Sequence, residues 1–158
     1  ETVNATLIVG EVMTRDVPTV NAVMKVDELA DRIAQNDPQL TQHQALPILD
    51  TSQQLVGMIT RSDVLRAIDS GDHEKTVLEA GSDTLVVTYP DESVHEASNK
   101  MLQYNIGRLP VVSRDDPRHL VGYLGRSGVL QARLQRQADE YIREPGWIGR
   151  LSVFPKIR

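Results

Sequence analysis

The sequence predicts a mixed α/β (α+β) fold built from two similar β-α-β-β-α repeats. The main observation is an internal repeat, since residues 46–49 and 55–65 recur as residues 109–112 and 120–130 with Leu-Pro, Val-Gly and Arg-Ser at matching places. Each copy has only about sixty positions, and a hydrophobic core of that size is marginal alone. We therefore expect the two copies to pack on each other. The core must consist of Val, Leu, Ile, Met and Ala, because the chain has one Trp and one Phe.

Apolar spacing predicts the helices. In residues 26–34 the apolar side chains lie at i, i+3, i+4, i+7 and i+8, which is typical of an amphipathic helix. Pro38 ends this helix, because the residue before a proline is pushed out of the α region. Glu-Pro-Gly at 144–146 stops the last helix. The predicted helices are residues 7–13, 26 to about 36, 61–69, about 94–102 and 126–143.

Short apolar runs predict the strands. Leu-Pro opens the second strand of each copy, and proline is tolerated at the first position of a strand. A polar turn then joins the second strand to the third in each copy. The predicted strands are residues 19–20, 46–49, 55–59, 87–89, 109–112 and 120–124.

The residue types exclude several classes of function. No cysteine is present, so disulfides, thiolate metal sites and cysteine nucleophiles are excluded. The four histidines show no metal-ligand spacing, no serine lies in a G-x-S-x-G context, and no P-loop is present. We therefore expect neither an enzyme nor a metal site.

Charge is unevenly distributed along the chain. The net charge is -5, but residues 131–158 hold six basic and three acidic residues, so the rest of the chain is strongly acidic. An acidic body argues against nucleic-acid binding. The basic end fits contact with an acidic surface or a parent protein, or else a solvated helix face with a loose end. No apolar run reaches the ~20 residues of a membrane-spanning helix, and no signal peptide is present. Because the first residue is Glu1, we expect a fragment of a longer protein.

The ordered motifs of both copies resemble the CBS domain, the cystathionine-β-synthase-type domain that occurs as tandem pairs called Bateman modules. The resemblance covers about residues 8–135, and the segments that carry it are residues 12–17, 46–48, 57–65, 105–112 and 122–130. It implies two repeats packed about a pseudo-twofold axis, with two clefts between them. It divides the chain into repeat 1 (8–70), a linker (71–83), repeat 2 (84–135), and a C-terminal helix end with a basic tail (136–158).

For function, the resemblance implies a regulatory module that does not catalyse and requires no cofactor. The ligands it implies for the clefts contain adenosine: AMP, ADP, ATP, S-adenosylmethionine or cyclic di-AMP. It also implies a homodimer that regulates a channel, transporter or enzyme, and a cytoplasmic location. Two hosts stay open, namely the cytosolic domain of a membrane protein and a free-standing regulator.

Thr60 and Asp63 stand where a predicted strand becomes a helix. A carboxylate there can accept hydrogen bonds from both ribose hydroxyls, and the helix N-terminus can receive a phosphate. The resemblance implies that both residues contact the sugar and that Arg108 faces a phosphate, with Arg61 and Arg126 as weaker candidates. A solvent-facing side chain is the alternative for Arg108. The adenine slot implied by the resemblance consists of Val17, Pro18, Thr19, Ala45, Leu46 and Pro47.

The same residues allow a purely structural interpretation. A Thr followed three residues later by Asp is close to a capping box, which stabilises a helix by about 1 kcal/mol without any ligand. The second copy has Gly125 and Gly128 at these two places, so we expect its cleft to be empty or degenerate. We therefore predict one competent site per chain. The alternative is a ligand-free structural dimerisation module.

Overall fold

The computed structural model describes residues 7–37 and 44–143, and its mixture of helices and strands confirms the α+β class. The basic tail beyond residue 143, with its predicted helix stop, lies outside the described residues. The helices are α1 (Val9–Val12), α2 (Val26–Ala34), α3 (Arg61–Asp69), α4 (Val77–Ala80), α5 (Val94–Tyr104) and α6 (Arg126–Arg143). The strands are β1 (Val20–Asn21), β2 (Ala45–Leu49), β3 (Leu55–Thr60), β4 (Arg108–Val112) and β5 (Leu120–Gly125).

Each repeat contributes one small sheet. In the first, β1 runs parallel to β2, and β2 runs antiparallel to β3 with Leu46 opposite Ile59. In the second, β4 runs antiparallel to β5 with Leu109 opposite Leu124. The strand predicted at residues 87–89 is represented by Thr88 alone, which forms a parallel bridge with Val111. The two sheets therefore share one design, and the second lacks a full opening strand.

The short leading helices, α1 for the first half and α4 for the second, each cross over to the other repeat. Thr14 follows α1 and exchanges two backbone hydrogen bonds with Tyr123 of β5, at 2.8 and 2.9 Å. Ser82 follows α4 and exchanges two backbone hydrogen bonds with Met58 of β3, both at 2.9 Å. Helix α4 lies within residues 71–83, the predicted linker, and was not predicted as a helix. This exchange relates the two halves by a pseudo-twofold axis.

Two separate cores result from the crossing, and each takes one buried valine from the other repeat's leading helix. Because burying a valine contributes roughly 1.5–3 kcal/mol, Val9 and Val77 tie the repeats together. The first core consists of Val20, Val26, Leu29, Leu46, Ile48, Ile59, Val64, Ala67 and Val77. The second consists of Val9, Val94, Ala97, Met101, Leu109, Val111, Leu124, Val129 and Ala132.

The glycine of each repeated Leu-Val-Gly segment makes room for the crossing chain. A Cβ on Gly57 would lie 2.6 Å from the carbonyl oxygen of Ser82, and one on Gly122 would lie 3.0 Å from that of Thr14. The separation at Gly57 leaves no space for a side chain, and the one at Gly122 is tighter than an ordinary contact between a carbon and a backbone oxygen. Within the described ranges, no helix combines the length and the apolar content needed to span a bilayer.

Candidate functional site

Thr60 and Asp63 form a reciprocal cap at the start of α3. The Thr60 Oγ1 accepts a hydrogen bond from the Asp63 backbone N–H at 3.1 Å, and the Asp63 Oδ2 accepts one from the Thr60 N–H at 2.9 Å. These bonds satisfy two backbone donors that the first turn of a helix leaves without partners. Thr60 and Asp63 therefore cap helix α3, and a ligand can bind Asp63 only in a way that leaves this cap in place.

The second carboxylate oxygen of Asp63 has a weaker partner. Its Oδ1 accepts a hydrogen bond from the Arg66 Nη1 at 3.0 Å, one turn along α3. The Arg66 side chain is 67% exposed, whereas that of Asp63 is 18% exposed. Exposed ion pairs contribute about 0–1 kcal/mol. A ligand hydroxyl can therefore replace the guanidinium at Oδ1 at little cost, while Oδ2 keeps the cap intact.

The space beside Thr60 is small among the described residues. Thr60 lines a cavity of about 10 Å³ together with Leu46, Arg61 and Gln44, which is room for about one water molecule. Ala45 lies opposite Thr60 in the β2–β3 register, and Pro47 lies opposite Met58. Residues 38–43, which directly precede Gln44, lie outside the described residues.

The other predicted adenine contacts lie elsewhere. Val17 and Thr19 line a cavity of about 430 Å³ with Gly122, and neither Thr60 nor Asp63 lines it. Pro18, between them, is half-buried. The physical reason is the crossing, because the Thr14–Tyr123 pairing carries residues 9–19 toward the second repeat. The structure thus does not bring residues 17–19 into a described cavity with Thr60.

The segment that reaches the Thr60 end of β3 comes instead from before repeat 2, and the sequence pattern did not indicate it. Ser82 pairs with Met58, two residues before Thr60, as Thr14 pairs with Tyr123, two residues before Gly125. The sequence does contain a signal for this pairing, because Gly57 of β3 and Gly122 of β5 recur at the places where the crossing segments pass.

The second cleft is an open cavity of about 290 Å³. Arg108, predicted as a phosphate contact, lies here, and its Nη2 is 3.5 Å from the Gln44 Oε1. Gln44 also lines the small cavity beside Thr60, so the two clefts meet at this side chain. The lining residues are Val12, Thr14, Gln44, Gly107, Arg108, Tyr123, Gly125, Arg126, Ser127, Gly128 and Gln131.

Tyr123 is the buried polar group of the second cleft. The residue is 7% exposed, and burial raises the pKa of its hydroxyl, although the charge of Arg108 and a hydrogen bond from it act in the opposite direction. The hydroxyl therefore stays protonated at neutral pH. Among residues 7–37 and 44–138, no three His, Asp or Glu side chains are grouped so that they could hold a metal ion.

Comparison with known families gives a match over both repeats. The model of the CBS domain matches residues 9–70 and 79–135. Among solved structures, the CBS domain pair of protein MJ0100 in complex with 5′-methylthioadenosine and S-adenosyl-L-methionine is 26% identical, with a TM-score of 0.69 over 83% of this chain and 98% of that one. CBSX2 in complex with AMP is 25% identical, with a TM-score of 0.67 over 82% of this chain and 98% of that one.

The curated relatives are much longer proteins. The inosine-5′-monophosphate dehydrogenase of Methanocaldococcus jannaschii is 33% identical over 128 residues, which is 81% of this chain and 24% of that protein. The L-aspartate semialdehyde sulfurtransferase of the same organism is 39% identical over 77 residues, which is 49% of this chain and 14% of that protein. The chain thus spans a quarter or less of these relatives.

Proposed function

This chain belongs to the CBS domain family as a tandem pair, and from that premise we propose that it is a regulatory, non-catalytic module that binds an adenosine-containing ligand between its repeats. The ligand classes are AMP, ADP, ATP and S-adenosylmethionine. One observation carries the proposal: the Asp63 carboxylate keeps one oxygen in the cap and the other in an exposed ion pair that a ligand can replace. The structures most relevant to ligand class are complexes with 5′-methylthioadenosine, S-adenosyl-L-methionine and AMP.

The shared part of those ligands is an adenosine with a ribose diol. A carboxylate accepts hydrogen bonds from both hydroxyls of such a diol, and hydrogen bonds to a charged group contribute about 1.5–3 kcal/mol. In our proposal the diol displaces Arg66 from the Asp63 Oδ1. The Thr60 cap then fixes the carboxylate in place, so that the same hydrogen bonds start the helix and orient the ligand group.

The pseudo-twofold axis suggests where the adenine would lie. The second cleft is lined by residues 12 and 14 of the segment that crosses from the first half, by strand β5 and by the start of helix α6. The equivalent surfaces of the first cleft are Ala80 and Ser82, then Met58, then Thr60 to Asp63. We place the base against this group and the neighbouring β2 residues Ala45, Leu46 and Pro47, so ligand binding requires the space of about 10 Å³ beside Thr60 to widen. Val17 and Thr19 are assigned to the separate cavity of about 430 Å³ that they border, and Pro18 lies between them in sequence.

Arg108 offers a contact for a phosphate of this ligand. It approaches Gln44, which lines both clefts. A phosphate tail directed from Asp63 past Gln44 would therefore meet a guanidinium that forms no ion pair among the described residues.

Ligand binding between the repeats would act on their relative arrangement. Each leading helix is packed in the core of the other repeat, so a change of the inter-repeat angle must be taken up by the segments that join α1 to β1 and α4 to α5. A ligand shifts such an equilibrium only through its different affinity for the two arrangements. Helix α6 would transmit this shift to a channel, transporter or enzyme partner in the cytoplasm.

A homodimer would cover apolar side chains that the single chain leaves exposed. Leu102 of α5 and Leu130 and Leu134 of α6 are 57–78% exposed. Light scattering coupled to size-exclusion chromatography tests for this dimer. A mass that stays monomeric at roughly 100 times the protein concentration used for calorimetry would contradict it.

Isothermal titration calorimetry with AMP, ADP, ATP and S-adenosylmethionine tests the ligand. Asp63→Asn keeps an acceptor for the cap and removes the charge, so affinity should fall roughly tenfold or more. Asp69→Asn is the matched control on the exposed end of α3, and it should change affinity less than twofold. Arg66→Gln should leave the affinity for uncharged 5′-methylthioadenosine unchanged or up to about fivefold tighter, because it removes the competing guanidinium.

One observation favours the second candidate, a ligand-free dimerisation module. The reciprocal cap alone explains why Thr60 and Asp63 are present. On this interpretation no adenosine ligand binds at millimolar concentration, and Asp63→Asn changes only thermal stability. That pair of results would replace the ligand-binding proposal.

A further inference from the structure

Helix α6 continues beyond the part that the second repeat buries. Its last residue in the second core is Ala132, and residues 133–138 are all exposed. The equivalent helix α3 has 9 residues, whereas α6 has 18. Because helices in proteins owe most of their stability to tertiary packing, we expect another segment to pack on the second half of α6.

An apolar groove of about 300 Å³ lies between α5 and α6. The apolar residues that line this α5–α6 groove are Met101, Leu102, Ile106, Val129 and Leu130. Leu102 is 78% exposed and Leu130 is 57% exposed. Leu134 and Ala138 follow Leu130 at i+4 and i+8, so they continue the apolar row on the same side of α6. The groove and this row form one apolar surface that leads toward the end of the helix.

The charged residues of the groove indicate what kind of side chain fits there. Arg126 and Arg133 both line the groove, and none of the lining residues is Asp or Glu. A guanidinium group is attracted to the face of an aromatic ring, most strongly to that of Trp. The groove therefore fits an apolar segment that carries aromatic side chains.

Such a segment follows α6 directly in the sequence. Residues 144–158, the C-terminal segment, contain the single Trp and the single Phe of the chain, Trp147 and Phe154. Together with Ile148 and Leu151 they stand at i, i+1, i+4 and i+7, which is typical of the apolar face of a helix. Pro-Gly at 145–146 favours a turn. The sequence thus allows the chain to reverse after α6 and to run back along it.

The segment is long enough to reach the groove. Leu130 lies about 20 Å from the end of α6 at a rise of 1.5 Å per residue. Residues 147–154 span up to about 25 Å when extended. A short connection also gives a docking segment an effective concentration of about 1 mM. At micromolar protein concentration the segment therefore has an advantage over a second copy of the chain.

We propose that the C-terminal segment docks on the α5–α6 groove of its own chain, with Trp147 and Phe154 as its anchors. This docking does not depend on a ligand at Asp63. The homodimer proposed above would cover the same exposed leucines, so a second copy would have to displace the segment.

Tryptophan fluorescence of the full chain tests the docking, because Trp147 is the only Trp. Light scattering follows the mass over the same dilution series. We expect the monomer to emit at shorter wavelength than free tryptophan in the same buffer, and Leu130→Ser and Phe154→Ser to move the emission maximum to the free value. Leu65→Ser is the matched control, because Leu65 occupies the equivalent position on α3 and is 63% exposed. It should leave the emission unchanged, and far-UV circular dichroism verifies that each variant is folded.

Three outcomes overturn the proposal. Wild-type emission equal to that of free tryptophan shows that Trp147 is solvated. Emission that Leu130→Ser leaves unchanged, or that Leu65→Ser shifts equally, places Trp147 away from the groove. A chain that remains dimeric at every dilution, or whose emission shifts to shorter wavelength only as it dimerises, gives the groove to a second copy. Each result holds whether or not an adenosine ligand binds, so failure here is distinct from failure of the ligand proposal.

Discussion

Replacing Gly57 with alanine tests the crossing of the leading segments. The new Cβ would lie 2.6 Å from the Ser82 carbonyl oxygen and 3.0 Å from the Leu78 Cδ1. The Leu78 methyl can rotate away, but the Ser82 carbonyl accepts the 2.9 Å hydrogen bond from Met58. Relief therefore requires the crossing backbone to move and its two hydrogen bonds to lengthen.

The expected cost follows from these contacts. Weakening two backbone hydrogen bonds costs about 1 kcal/mol each, and overpacking adds about 1–3 kcal/mol. The lower entropy of the unfolded alanine variant offsets about 0.4–1 kcal/mol. We expect the free energy of unfolding of Gly57→Ala to fall by about 2–4 kcal/mol.

Urea unfolding followed by far-UV circular dichroism measures this change. Gly125→Ala is the matched control, because a Cβ there meets only the Tyr123 Cε1 at 3.6 Å and should alter stability by less than about 1 kcal/mol. Equal stability of the two variants would refute the crossing arrangement.

Three further predictions concern the core, a buried hydroxyl and pH. Val77→Ala should lower the free energy of unfolding by about 2 kcal/mol, because Val77 lies in the first core although it precedes repeat 2. The exposed control Val23→Ala should change the free energy of unfolding by less than about 0.5 kcal/mol. Equal urea midpoints for the two variants would contradict the place of Val77 in the first core. Thr88→Val should lower the free energy of unfolding by about 1–2 kcal/mol, because the buried Thr88 Oγ1 donates a hydrogen bond to Glu92. An unchanged melting temperature would show that this hydrogen bond does not stabilise the fold. Because burial raises the pKa of Tyr123, its contribution is present below the ordinary tyrosine pKa of about 10 and is lost as pH rises through the folded value. Stability measured in urea should therefore fall above pH 10, and less steeply in Tyr123→Phe; parallel profiles would contradict this.

The parts of the fold that were predictable are those whose pattern is long and local. The 3.6-residue periodicity of α2 and α5 and the repeated Leu-Pro and Val-Gly segments predicted these elements and their order. Helices α3 and α6 have the predicted bounds. Each of these segments buries one face against its own repeat, so the sequence pattern reflects the packing directly.

The crossing was not predictable from periodicity. Helices α1 and α4 have four residues each, which is about one turn and too short to show a period. Thr76 and Glu79 do form a capping box at α4, and this spacing was a signal within the expected linker. The family resemblance alone grouped residues 17–19 with Thr60 in one adenine slot, and this grouping stays a prediction.

The candidate site was predictable only in its parts. Thr60 and Asp63 form the local cap that their spacing indicates, because a capping box depends on four consecutive residues. The position of Arg108 beside Gln44 and Tyr123 depends on contacts between distant segments, which the sequence pattern does not contain.

The most direct test of ligand binding at Asp63 is a thermodynamic cycle measured by calorimetry. AMP and 2′-deoxy-AMP are titrated into the wild type and into Asp63→Asn, so that the cycle isolates the interaction between the carboxylate and the 2′-hydroxyl. We predict that the wild type prefers AMP by roughly tenfold or more, and that this preference largely disappears in Asp63→Asn. An equal preference in both proteins would contradict a role for Asp63 in holding the ribose.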